Sequence, residues 1–217
     1  GVAYASLVAW RQRDMKRMIA YSSIAHLGLI VLGVMSFDPA AVSGAALQMF
    51  SHGVTTGAMF LLAGALYERR HTRQIEDYGG LAACVPGLAA VFMAATLASI
   101  GLPGLSGFPG EALALFGSFR IYPWLAGLAL SGVVLSAVYM LGLYMQVFFG
   151  PLRRTENRVL PDLRPREWAY LLPLLALMLY VGLRPNALLR RLEPAAASYI
   201  ELARPGLQTA PCPEVRP

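Results

Sequence analysis

Charge is scarce in this chain. Only 14% of its 217 residues are Asp, Glu, Lys or Arg, where a soluble domain of this size carries about 25%. Lysine is nearly absent, with one Lys against 17 Arg. The few charges collect between long stretches that have none. Residues 18–37, 39–67, 78–110, 121–152 and 168–183 contain no Asp, Glu, Lys or Arg. A helix needs about 20 apolar residues to cross a bilayer, and these blocks supply them. The pattern excludes a soluble domain with one buried core. It predicts an all-α polytopic transmembrane bundle. Cysteine is scarce too: Cys84 and Cys212 lie too far apart for a zinc-type spacing and make no disulfide framework. No metal site is expected. The chain lacks a phosphate-cradling G-x-x-x-x-G-K-[ST] loop and a Ser/His/Asp set legible as a hydrolase. Its net charge of +6 is read as a report of membrane orientation, with no nucleic acid partner expected.

The apolar stretch at 1–10 is too short to span. The chain starts without Met and has no basic n-region or cleavage pattern. The expectation is a C-terminal piece of a longer protein, with 1–12 the end of a cut crossing and a basic turn. Within 13–150, helices are expected at about 18–36, 40–67 and 124–149, together with an interrupted apolar stretch over 84–120. Residues 151–184 read as a loop and a last crossing at about 167–184. The tail, 185–217, is punctuated by Pro185, Pro194, Pro205, Pro211, Pro213 and Pro217. Leu188, Leu192, Tyr199 and Ala203 stand at spacings that suit a short helix on the membrane surface.

Loop charge bears on whether 84–120 crosses once or twice. A single crossing puts the basic loops 11–17, 68–73 and 150–166 on one face. Together they hold 12 of the 18 basic residues. Two crossings would move the third loop away. The positive-inside rule favours one interrupted crossing with these loops cytoplasmic.

The interruption is Gly101-Leu-Pro-Gly-Leu-Ser-Gly-Phe-Pro-Gly110. Pro103 and Pro109 lack an amide donor and disfavour helix before them, and Gly101, Gly104, Gly107 and Gly110 add backbone freedom. Irregular backbone inside a bilayer is tolerated where protein buries it or where it lines a wet cavity, and broken helices are a recurring device of transporters. Glu111 follows at once, the only charge between 78 and 119. A carboxylate at membrane depth costs several kcal/mol unless paired, hydrated or protonated. It suits a proton-carrying site. The competing reading is an interfacial carboxylate capping the second half-helix.

Two histidines share this setting. His26 follows Tyr21, Ser22 and Ser23. His52 lies on a stripe with Gln48, Ser51, Thr55 and Thr56, which are candidates to orient water. Such a stripe faces a helix partner or a water path, and ordinary interhelical hydrogen bonding explains it equally well. Three ionisable residues on three apolar helices favour a relay. Haem ligation by two histidines is the minor alternative.

Four stretches resemble a known family. They are D-M-K-R-M-I-A-Y-S-S-I-A-H-L-G (14–28), Q-M-F-S-H-G-V-T-T-G-A-M-F-L-L (48–62), Y-E-R-R-H-T-R (67–73) with D-Y-G-G-L (77–81), and L-A-S-I-G-L-P-G-L-S-G-F-P-G-E (97–111). They are similar to the antiporter-like membrane subunits of respiratory complex I, NADH-quinone oxidoreductase, and within them to the M subunits. The resemblance covers residues 8–150 well and the last helix loosely. It implies the second of two inverted five-helix repeats, with one helix broken at mid-membrane. It also implies a proton path through Glu111, His26 and His52, and no redox site in this chain. FMN, iron–sulfur clusters and quinone would belong to partner subunits. The implied neighbours are other antiporter-like subunits in a bacterial inner membrane. Rival readings are a subunit of a multisubunit cation/proton antiporter, a membrane-bound hydrogenase subunit, or a passive scaffold.

Overall fold

The computed structural model describes residues 1–152 and 154–208, with side chains to residue 203. Eight α-helices follow in order: α1 Val2–Trp10, α2 Met15–Met35, α3 Pro39–Arg70, α4 Pro86–Ser99, α5 Gly107–Ile121, α6 Pro123–Phe148, α7 Pro165–Leu183 and α8 Asn186–Gln208. Helices α2, α3, α6 and α7 are each long and apolar enough to cross a membrane. Their outward faces carry exposed Ile24, Leu27, Val31, Leu128, Leu130, Val134, Leu172 and Leu179. That surface suits lipid, which makes no demand for polar groups.

Helix starts follow local chemistry. Asp14 accepts a hydrogen bond from the Arg17 amide at 3.1 Å, and Asp38 accepts from the Ala41 amide at 3.0 Å, each satisfying a free first-turn donor. The Asp14 cap starts α2 three residues before the apolar block. Pro86, Pro123 and Pro165 open α4, α6 and α7, where a missing amide hydrogen costs nothing. Helix α4 takes its cap from a distance: the Asp162 carboxylate accepts from the Gly87 and Leu88 amides at 2.7 and 2.9 Å.

The three basic loops meet at one end of the bundle. An isolated bridge joins Asp14 to Gln74. The Gly80 amide donates to the Phe149 carbonyl at 3.1 Å, and Asn157 Nδ2 donates to the Asp77 carbonyl at 3.2 Å. Arg70 pairs with Glu156. Deeper in, Arg69 forks onto Glu167 at 2.8 and 2.6 Å and also donates to the Pro161 and Asp162 carbonyls. The chain therefore leaves this end along α4 and α5 and returns along α6. Helices α4 and α5 scarcely touch, while α5 lies along α3.

Small residues let α3 and α5 approach closely. A Cβ on Gly44 would lie 2.5 Å from Leu113 Cβ, one on Gly110 2.8 Å from the Gln48 amide nitrogen, and one on Gly117 2.5 Å from the Ala41 amide nitrogen. Close backbone approach of this kind maximises dispersion contact where lipid supplies no hydrophobic drive.

The tail helix is longer than expected and docks inward. Leu189 packs with Leu47 and Val181, Ala196 and Ile200 pack with Val42, and the Tyr199 ring stacks on Phe37 at 5.7 Å. Its other side exposes Arg190, Arg191 and Glu193. The end of the expected tail, 209–217, lies outside the described residues.

Candidate functional site

The backbone between α4 and α5 is irregular over 100–106. This corrects the expected extent of the interruption, 101–110. Gly107, Pro109 and Gly110 are helical, because Pro109 falls in the first turn of α5, where amide donors have no intrahelical partner. Those glycines serve packing: a Cβ on Gly107 would fall 2.2 Å from the Ala98 carbonyl oxygen. Gly101 and Gly104 hold φ of +74° and +92°, a region L side chains rarely adopt. Pro103 lies between them.

The irregular segment 100–106 leaves the C-terminus of α4 beside a side chain of α2. His26 Nε2 lies 3.1 Å from the Ser99 carbonyl oxygen, at the C-terminus of α4, and His26 Nδ1 lies 2.8 Å from the Ser22 carbonyl oxygen. Carbonyl oxygens only accept, so both bonds form together only when both ring nitrogens carry hydrogen. The counter-charge is at hand: Glu111 Oε1 lies 3.3 Å from His26 Nε2. Gln48 Nε2 donates to the same oxygen at 3.0 Å. Glu111 is 4% exposed and His26 6%. Thus the Glu111 carboxylate bonds across to α2 and α3 and does not cap its own helix.

His52 stands beside this pair, its ring centroid 5.1 Å from that of His26. Thr56 Oγ1 lies 3.2 Å from His52 Nδ1. Thr55 Oγ1 donates to the Ser51 carbonyl at 3.0 Å, and Ser51 Oγ is buried without a hydrogen-bond partner. The structure therefore gathers Glu111, His26, His52, Gln48, Ser22 and Thr56, with Ser51 and Thr55 on the same stripe. Two expected water-orienting residues fall outside the group. Ser23 Oγ donates back to the Ile19 carbonyl at 3.3 Å, and Tyr21 packs against the apolar core.

Space adjoins the carboxylate. A cavity of about 520 Å³ lies between α5 and α6, bounded by Gly101, Glu111, Leu115, Phe116, Leu130 and Val133. Among the described residues, Glu111 is the one charged group on its wall.

Sequence reasoning missed Tyr139 of α6. It is 1% exposed, and its buried hydroxyl has no hydrogen-bond partner among the described residues. The signal was faint: Gly132, Ser136 and Tyr139 are the small and polar positions on one stripe of an apolar helix. Gly132 lets α1 pack closely, since a Cβ there would lie 2.0 Å from Val2. The buried Arg69–Glu167 pair was also missed, because Glu167 reads as one more charge at a helix start. Among the described residues no group of His, Cys, Asp and Glu is arranged to hold a metal.

Comparisons with known proteins agree with this architecture. Residues 1–137 match the family described as NADH:quinone oxidoreductase/Mrp antiporter, transmembrane. A Rhodobacter capsulatus protein named NADH-quinone oxidoreductase subunit M is 44% identical over 200 residues, covering 92% of this chain and 39% of that protein. A chain of respiratory complex I from Thermus thermophilus superposes with a TM-score of 0.86 at 40% identity, covering 92% of this chain and 42% of that one. A chain of the Mrp complex from a Dietzia species superposes at 0.83 with 20% identity, covering 93% of this chain and 46% of that one, a likeness of fold. The chain thus spans about two fifths of the relatives it matches. It is a multi-pass membrane protein belonging to the NADH:quinone oxidoreductase/Mrp antiporter transmembrane family.

Proposed function

We propose that this chain is the C-terminal part of a proton-translocating membrane subunit of NADH:quinone oxidoreductase. Redox chemistry, with FMN, iron–sulfur clusters and quinone, belongs to partner subunits. The basic loops face the cytoplasm of a bacterial inner membrane, and α4 and α5 make one crossing broken at its middle. Neighbouring antiporter-like subunits flank it.

The observation that carries this reading is the buried His26–Glu111 pair at the break, 3.3 Å apart. Proton transfer along that line breaks the His26 Nε2–H bond and forms a Glu111 O–H bond, turning an ion pair into a neutral pair. Gln48 and the Ser99 carbonyl hold the two ends in line. A charge arriving in line with the pair, about 8 Å from its nearer member and about 11 Å from the other, changes the balance by about 0.6 kcal/mol at an effective dielectric of about 20. That is nearly threefold in the equilibrium, so charge movement nearby biases the loading of the site. His52, Thr56 and bridging water extend the path along α3.

Glu111→Gln in the assembled complex tests the reading. Proton pumping should fall at least tenfold with assembly retained. A passive scaffold predicts no loss. A cation/proton antiporter predicts sodium-stimulated exchange in place of pumping coupled to NADH oxidation. The 44% identity to a protein named subunit M, against 20% to the Mrp chain, favours the first.

A further inference from the structure

The cavity of about 520 Å³ beside Glu111 has an almost wholly apolar wall. Small residues leave it open: Ala112 on α5, and Ala126 and Gly127 on α6. A Cβ on Gly127 would meet nothing within 4 Å. Phe108, Phe116 and Phe119 line the space and are exposed, so it reaches the outer surface of the bundle. Two rows of the wall continue to the far end of the bundle, away from the basic loops. On α5, Ala112, Phe116 and Arg120 follow one another at helical spacing, and on α6 Trp124 stands one turn before Gly127. Arg120 and Trp124 are exposed. Arg120 is the only Asp, Glu, Lys or Arg between 112 and 152, and it makes no hydrogen bond or ion pair among the described residues. Helix α5 rises about 14 Å from Glu111 to Arg120. One leaflet of bilayer hydrocarbon is about 15 Å thick.

We infer that this cavity is the seat of one phospholipid, with its phosphate on the Arg120 guanidinium and one acyl chain running between α5 and α6 to end against Glu111. A guanidinium takes a phosphate by two parallel N–H bonds, and a Trp ring suits the headgroup level beside it. An apolar slot one leaflet deep, with a free cation at its outer end, is complementary to a lipid in both charge and length. A protein helix laid over the slot would have to bring Arg120 a counter-charge of its own. The chain end keeps water off the lipid-facing side of the carboxylate, so Glu111 trades its proton on the side of His26. That consequence rests on the proton-translocating reading above; the lipid site itself rests on the cavity and Arg120.

The test uses the whole complex, reconstituted with phosphatidylglycerol that carries a diazirine at the end of one acyl chain. After illumination, peptide mapping should place the label on the cavity wall at Ala112, Leu115 and Leu130. It should exceed the label on the outward faces of α2 and α7 at least fivefold. Gly127→Leu fills the cavity from α6, and wall labelling should fall at least fivefold with assembly kept. Arg120→Gln should lower it at least threefold. Label spread evenly over all the outward faces would mean ordinary bilayer contact and would overturn the site. Wall labelling unchanged by Gly127→Leu or by Arg120→Gln would overturn it too. An unlabelled wall, with Gly127→Leu unable to assemble, would put a protein segment in the slot and overturn it equally. Glu111→Gln separates the two readings, because it leaves the apolar wall in place and should keep the labelling. Labelling and pumping both intact in that variant would sink the relay and leave the lipid site standing.

Discussion

Gly101 leaves the space beside it to the Glu111 carboxylate. A Cβ built on Gly101 would lie 2.5 Å from Glu111 Oε2, and Gly101 holds φ +74°. Both facts demand glycine, one for the backbone and one for the carboxylate. Gly101→Ala should cost about 1–2 kcal/mol for the left-handed conformation alone. It should also push Glu111 off its line with His26. The expected outcome is a fall in pumping larger than the fall in assembled complex, read by NADH-driven acidification and by native gel yield.

Gln48 holds the other side of the carboxylate, at 3.0 Å. Gln48→Leu removes a donor to a charged group, worth about 1.5–3 kcal/mol. Pumping should fall roughly tenfold or more by the same conversion of free energy to rate. Gln48→Asn, too short to reach, should resemble Gln48→Leu, and kinetics of pumping in vesicles would compare the two.

Arg69 and Glu167 form a pair with side chains 5% and 4% exposed. They tie α3 to α7 and order the loop that caps α4 through Asp162. Removing one partner leaves a buried charge and should cost about 3–5 kcal/mol. Arg69→Met or Glu167→Leu alone should lower the yield and melting temperature of the complex. The double variant should recover part of that loss. Pumping per assembled complex should change little in the double variant, because the pair lies at the basic-loop end and outside the relay.

Gly110 sets the spacing of α3 and α5 beside the site. A larger side chain there meets the Gln48 backbone. Gly110→Val should separate the helices and reduce assembly, whereas Gly127→Ala on α6, with open space around it, should be tolerated. Yield of intact complex measures both.

Much of this architecture was legible because a bilayer imposes simple rules. Uncharged blocks long enough to cross stand out against basic loops, and those loops do meet at one end. The glycine and proline cluster marked irregular backbone for a local reason, φ and missing donors. Its length was overread, since Pro109 in a first turn costs nothing. Glu111, His26 and His52 stood out as polar residues in apolar helices. Tyr139 did not, because an amphipathic ring in a lipid-facing helix is unremarkable and no periodicity tells which face meets α2. The docking of α8 on α3 was illegible for a like reason: its apolar stripe fits a membrane surface or a protein groove equally well.

In the proposed relay, Glu111 exchanges a proton with its surroundings during turnover. The most direct measurement is infrared difference spectroscopy of the assembled complex, resting against turning over with NADH, with Glu111→Gln as control. The proposed relay predicts a carboxylic acid C=O band that changes during turnover and is missing in the control. Carboxylate bands that stay constant, with difference spectra identical in the two proteins, would contradict it and leave His26–Glu111 as a fixed structural ion pair.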